Sequence, residues 1–243
     1  MKVTLVLPVL NEIDGMKAIM PKIKPEWYDQ LIILDGGSTD GTREYALEKG
    51  YFTHVQREKG MRHAYCEILP YIQGDVVVTF SPDGNCIPEL IPELTRKMSE
   101  GYDMVIVSRY YRGAKSEDDD LVTGFGNWLF TGTVNYLHGG KYTDVMGIYR
   151  AFKTQLIYDL ELHKEEPYAT AERLFCTKIS WEPLLSVRAA KRKLKVTEIG
   201  GDEPKRVGGV RILQVLRWGA AYLFQFFREV FCWRHALDSG SQR

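Results

Sequence analysis

Asp75-Val76-Val77-Val78-Thr79-Phe80-Ser81-Pro82-Asp83-Gly84-Asn85-Cys86-Ile87-Pro88-Glu89 is the stretch from which the rest of the chain can be read. It opens as a β-branched apolar run, which suits a strand buried on both faces of a parallel sheet. Ser81 to Asn85 then breaks the run with turn formers that carry one carboxylate and one amide oxygen. Pro88 suits a first helical position, and Leu90, Ile91, Leu94 and Met98 follow at helical spacing. Oxygen donors just past a buried strand sit where an open α/β sheet holds its ligand. They also suit a hard divalent cation on a diphosphate, although an ordinary strand-to-helix turn uses the same residues.

The same pattern recurs on either side. Residues 3–7 read as a first strand that Pro8 brings to an end, with Asn11 starting a helix. Gln30 to Leu34 reads as a second strand, running into Asp35-Gly36-Gly37-Ser38-Thr39-Asp40-Gly41-Thr42, where Thr39 or Asp40 can cap the next helix. Phe52–Val55 reads as a third strand, followed by a helix from about Met61 to Ile72, and Met104–Val107 as a strand after the central one. Strands alternating with helices imply a βαβ-wound, mostly parallel twisted sheet with helices on both faces. Right-handed crossovers then bring the strand ends, and with them Glu12, Asp35, Asp83 and Arg109, to one edge.

Past Arg109 the character changes. Tyr110 to Thr123 carries the acidic run Glu117-Asp118-Asp119-Asp120 and reads as a mobile loop with solvated charge. Helices are expected over 124–137, 168–177 and 182–193. Tyr142 to Arg150 reads as a strand or turn, and Leu194 to Ile199 as a strand. Arg188, Lys191, Arg192 and Lys195 fall on one helix side, either solvated or facing anionic lipid. From Val210 to Trp233 most residues are apolar, with Gln214, Arg217, Ala221, Gln225 and Arg228 as one polar stripe. Arg217 argues against a membrane span, so this segment is a helix packed on the domain, a homodimer contact or an interfacial helix. The domain expectation is therefore 1–209, divided near 109, then an amphipathic helix over 210–236 and a flexible tail over 237–243.

The 243 residues hold 32 basic and 32 acidic side chains, so no overall field favours nucleic acid. Four cysteines without metal-ligand spacing suit a reduced, cytoplasmic protein with its thiols in the core.

Pro8-Val9-Leu10-Asn11-Glu12, the Asp35 to Thr42 segment and the Asp83 turn together resemble glycosyltransferase family 2, with the GT-A fold. Ser108-Arg109-Tyr110, Asp144 to Phe152 and Glu203 to Gly209 resemble its branch that glycosylates polyprenyl phosphates of the dolichyl type. The resemblance implies that Pro8, Glu12, Asp35, Ser38, Lys59, Pro82 and Asp83 hold a GDP- or UDP-linked sugar. It implies Mg²⁺ or Mn²⁺ on Asp83 and Asn85, and phosphate on Arg109, Arg150, Lys205 and Arg206. Asp83, Arg109 and Asp144 would be catalytic.

That residue set suits the chemistry, because a departing diphosphate gathers charge that a divalent ion and guanidinium groups offset. A phosphate acceptor needs little general base, whereas a hydroxyl acceptor needs one, and Asp144 or Glu182 are the carboxylates for it. Ser81 replaces the first Asp of the family's Asp-x-Asp metal turn, leaving one carboxylate there. The resulting expectation is an inverting, metal-dependent transferase, cytoplasmic and peripheral on the membrane face. A soluble hydroxyl acceptor and a non-catalytic nucleotide-sugar-binding subunit are the competing readings.

Overall fold

The computed structural model describes residues 1–207 and 215–233. Among them, seven strands form one sheet in the order β3-β2-β1-β4-β6-β5-β7. These are β1 (Val3–Val9), β2 (Gln30–Asp35), β3 (Phe52–Val55), β4 (Val76–Thr79), β5 (Met104–Ser108), β6 (Arg150–Lys153) and β7 (Val196–Gly200). All pairings are parallel except those of β6, which runs antiparallel to β4 and β5 on either side. Since β4 and β5 both oppose β6, they run the same way, and their carboxyl ends meet at one edge. Of the strand or turn expected over 142–150, residues 142–149 form turns, and Arg150 begins the short β6. Pro8 does not end β1. It sits inside the strand opposite Leu34 and loses only its own N–H from the ladder.

Alternate residues of β1 and β2 enter opposite cores, as period-two geometry requires. Leu5, Leu7, Leu31 and Ile33 pack with α1 (Ile13–Ile19) and α4 (Ile91–Ser99) on one face. Val6, Ile32 and Leu34 join the other face. There the cover is α3 (Met61–Ile68), α5 (Leu121–His138), α7 (Glu166–Phe175), α8 (Glu182–Lys191) and α9 (Val215–Cys232). The short α2 (Thr42–Glu48) and α6 (Leu156–Asp159) are the other α-helices among the described residues. Asn11 does not cap α1; it adopts φ 56°, and its side chain accepts from the Thr39 N–H at 2.8 Å. Asp40 instead serves α2, accepting from the Thr42 N–H at 2.9 Å.

The last helix packs on the domain. Ala221, Tyr222 and Phe226 are buried in the core shared with α3, α5, α7 and α8. Arg188 of α8 donates to both oxygens of Glu229 at 2.9 and 3.0 Å, with both residues buried. Arg188 is thus neither solvated nor free for lipid, and Lys191 likewise donates to the Trp233 carbonyl at 2.6 Å. The expected polar stripe divides in the same way. Arg217 is exposed, but Gln225 is fully buried and donates to the Pro167 carbonyl, while Gln214 lies outside the described residues. The 237–243 tail and Gly208-Gly209 lie outside them too. Among the described residues no helix is long and apolar enough to cross a membrane. Cys66 and Cys86 are half-buried, whereas Cys176 and Cys232 are exposed, so only half of the thiols come near the core expectation.

Candidate active site

A cleft of about 1210 Å³ opens at the carboxyl edge of the sheet. Pro8, Glu12, Lys59, Ser81, Asp83, Asn85, Arg109 and Arg206 all line it. Two glycines make the Asp83 turn possible. A Cβ on Gly15 of α1 would lie 2.4 Å from the Pro82 carbonyl oxygen, so the helix can approach the turn only without a side chain. Gly84 has φ 96°, and a Cβ there would collide with Val207, whose N–H donates to the Asp83 carbonyl at 2.8 Å. Segment 201–207 is therefore docked directly on the turn.

Asp83 is 2 % exposed, and burial pushes its carboxyl above the ordinary range while Arg206, 3.1 Å away, opposes that shift. Glu12 shows the same imbalance more strongly. Burial first, then the charge of Asp83, push its pKa up to about 7, and its Oε2 is buried with no hydrogen-bond partner. Two carboxylates thus share one wall with less positive charge than they need.

Arg109 is held in a cage of acids. Asp144 grips it with bonds of 2.7 and 3.2 Å, and Glu203 and Asp119 approach at 3.4 and 3.5 Å. Asp144 has no exposed surface and also accepts from the Met146 and Gly147 N–H groups, so it positions Arg109 instead of meeting substrate. The acidic run is only partly solvated: Glu117 and Asp120 are exposed, whereas Asp118 and Asp119 are half-buried. Asp118 pairs with Arg206 at 3.1 Å, Asp119 reaches Arg109, and Asp120 caps α5 by accepting from the Thr123 N–H. Local pattern hides the first two of these roles, because Arg206 and Arg109 lie 88 and 10 positions from their partners. Glu203 was missed for the same reason: it joins Arg109, Ser116 and Asn85 only through folding.

Arg150 corrects a further expectation. It has no exposed surface, and its guanidinium donates to the carbonyls of Gly147, Val145 and Glu182 and to the Ser186 hydroxyl. A phosphate cannot reach it. Asp35 also has no exposed surface, and its carboxylate accepts from the Ser38 N–H and hydroxyl at 3.0 and 2.5 Å. Pro82 and Ser38 are buried beside the cleft, while Lys205 is exposed and is not among its lining residues. Met146, Ile179 and Glu182 line the same cleft, as do Trp218 and Tyr222 of α9.

His63, Glu165 and Glu172 also lie close enough together to recruit a cation. Arg62 already meets Glu165 at 2.6 Å, and Lys178 meets Glu172 at 2.8 Å, so the cluster is balanced within the protein.

A model described as glycosyl transferase family 2 matches residues 4–160. The chain is 27 % identical over 231 residues to glycosyltransferase AglJ of Haloferax volcanii, covering 88 % of this chain and 71 % of that protein. It is 25 % identical over 251 residues to undecaprenyl-phosphate mannosyltransferase of Micrococcus luteus, covering 94 % and 98 %. Among solved structures, glucosyl-3-phosphoglycerate synthase from Mycobacterium tuberculosis, in complex with Mn²⁺, UDP and phosphoglyceric acid, superposes with a TM-score of 0.65 at 21 % identity. That match covers 94 % of this chain and 78 % of the other, and it speaks to the fold alone.

Proposed function

This chain belongs to glycosyl transferase family 2 and is a glycosyltransferase of the GT-A fold, and we propose that it moves a sugar from a nucleoside diphosphate to a polyprenyl phosphate with a divalent cation beside Asp83. One arrangement carries the reading: Glu12, Asp83 and Asn85 share a cleft wall with Arg109 and Arg206 at the sheet edge.

The donor set fits a hard cation. Glu12 has a buried oxygen without a partner, Asp83 is a desolvated carboxylate, and Asn85 adds a neutral oxygen. Asp83 and Asn85 would hold Mg²⁺ or Mn²⁺, and the ion would offset charge on the departing diphosphate. Ser81 leaves one carboxylate at the turn, so an ion held there would also draw on substrate oxygens. Both Mn²⁺ and UDP are present in the solved structural neighbour. Pro8 and Lys59 lie along the cleft for the nucleotide, and Asp35 with Ser38 underlies the Gly36 backbone that lines it.

Arg206 exchanges Asp83 or Asp118 for phosphate, since a guanidinium pairs with either anion. Arg109, fixed on one side by Asp144, has only long contacts to Glu203 and Asp119 on the other, which a phosphate oxygen can replace. An acceptor phosphate oxygen is ionised at neutral pH and attacks the anomeric carbon as its bond to the diphosphate breaks. One such displacement inverts the anomeric configuration, and no buried base takes a proton.

The lipid-linked acceptor draws on the Micrococcus luteus relative and on α5. This helix carries no acidic or basic residue except His138, and it exposes Leu121, Phe125, Trp128 and Tyr136. Beside it α9 exposes Leu216, Phe227 and Phe231. Exposed aromatic and aliphatic side chains on these two adjacent helices suit a membrane interface on the cytoplasmic face.

The test is a thermal-shift series with UDP and GDP, each with and without Mn²⁺. A rise in melting temperature that needs both nucleotide and metal is expected, and no rise with either nucleotide would overturn the reading. Flotation with anionic vesicles examines the acceptor side: wild type should float and Trp128→Glu with Phe125→Glu should not.

A further inference from the structure

One buried carboxylate near the site has no task in the chemistry above. Glu198 of β7 is 8 % exposed, lies opposite Ile106 of β5 and is not among the residues lining the cleft. Among the described residues its donors come from two positions, and neither is a cation. The Thr143 N–H reaches both of its oxygens at 2.9 Å, the Thr143 hydroxyl donates at 2.8 Å and the Asp144 N–H at 3.1 Å. Burial pushes the Glu198 carboxyl above the ordinary range, and these donors oppose that shift. A buried anion without a cation is costly to keep, so what its donors hold in place is the key to its use.

Those donors lead to Arg109 by two routes. Asp144, whose N–H Glu198 holds, is the acid that grips the Arg109 guanidinium at 2.7 and 3.2 Å. The second route runs through hydroxyls. An ionised carboxylate can only accept, so the single Thr143 hydroxyl proton goes to Glu198. The Ser108 hydroxyl, 2.5 Å away, must then donate to Thr143 Oγ1, and Ser108 Oγ accepts from the Tyr110 N–H at 3.2 Å. Every hydrogen bond in this chain points toward Glu198, and its negative charge strengthens each link. Ser108 and Tyr110 flank Arg109 in sequence. One carboxylate therefore fixes both the backbone around Arg109 and the acid that orients its guanidinium.

We propose that Glu198 is a positioning residue: through Thr143 and Asp144 it sets the direction in which Arg109 meets the acceptor phosphate. This rests on the polyprenyl-phosphate reading above. Glu198 itself touches no substrate. Its removal should spare the nucleotide end of the cleft, because Glu12 and Asp83 share no hydrogen bond with Glu198, Thr143 or Ser108.

Calorimetry on the full chain tests this, with farnesyl phosphate as a short polyprenyl phosphate, and with UDP and GDP in the presence of Mn²⁺. Wild type is compared with Arg109→Ala, Glu198→Gln, Thr143→Val and the double variant Glu198→Gln with Arg109→Ala. Arg109→Ala should weaken farnesyl phosphate binding about tenfold or more. Glu198→Gln should weaken it about five- to tenfold, and Thr143→Val, which breaks only the hydroxyl route, about two- to fivefold. Both should bind nucleotide within about twofold of wild type, which also reports that they are folded. The double variant should bind farnesyl phosphate no more than about twofold worse than Arg109→Ala alone, whereas a merely structural role would add its own loss. Wild-type affinity for farnesyl phosphate in Glu198→Gln overturns the proposal, and so does a double variant whose losses add. Should Glu198→Gln bind no nucleotide, Thr143→Val decides, and unchanged affinity there overturns the proposal equally. Wild type that does not bind farnesyl phosphate, or Arg109→Ala that binds it undiminished, overturns the acceptor reading and this inference together, a pattern distinct from the others.

Discussion

Two buried charge systems in this molecule are built differently. At the seam between α8 and α9, Arg188 and Glu229 satisfy each other with two bonds, and the Leu160 carbonyl takes a further N–H at 2.6 Å. At the strand edge, Glu12 keeps an oxygen without a partner, and Asp83 leans on one arginine. The first system is closed and holds a helix in place. The second is short of positive charge, which is how a binding site differs from a structural ion pair of similar burial.

The largest effect should come from opening the closed system. Glu229→Ala leaves Arg188 charged and buried, and urea denaturation should report a loss of about 3–5 kcal/mol. Replacing the pair together, as Arg188→Met with Glu229→Leu, should recover most of that. A single-variant loss below about 1 kcal/mol would erase the contrast between the two regions.

Next in size is Asp83→Ala at the open system. Turnover of nucleotide sugar, measured as kcat/KM, should fall about 10²–10³-fold, because charge stabilisation of the leaving diphosphate is lost. The melting temperature should hardly move. A large drop in stability with retained turnover would make Asp83 a structural acid like Glu229.

The smallest effect concerns pH. Glu12 has a folded pKa of about 7 against an ordinary 4.5, so the native state binds the extra proton. Its contribution to stability is full below 4.5 and is lost as pH rises through 7. In metal-free buffer with EDTA, Glu12→Gln should therefore be more stable than wild type at pH 8. Allowing for solvent screening from the open cleft, the gain is about 1 kcal/mol, or roughly 2–4 °C in melting temperature. The two proteins should converge at pH 5. A constant difference across that range would mean that Glu12 is not strained by burial.

Several residues show where local pattern carried the reading and where it failed. Val76 to Thr79 and Leu31 to Leu34 are continuous apolar runs, and such runs have few uses except a strand covered on both faces. The turn after each strand then follows from its own glycines and acids, so Glu12, Asp35, Asp83 and Arg109 could be assigned to one edge from the sequence. Arg150 misled for a physical reason: a guanidinium beside a site has the same sequence signature whether it meets phosphate or backbone carbonyls. Its burial depends on β6 running antiparallel between β4 and β5, which no local period encodes.

The chain alone thus determined the sheet, its direction of winding and the carboxyl edge on which chemistry gathers, because those follow from short-range periodicity and turn stereochemistry. Tertiary structure decided which charges are satisfied. Arg188 finds Glu229 across 41 positions, Asp118 and Asp83 share Arg206, and Glu12 is left with an unpaired oxygen in the cleft. Charge compensation is a property of distance and burial in space, and residues far apart in the chain acquire both only on folding.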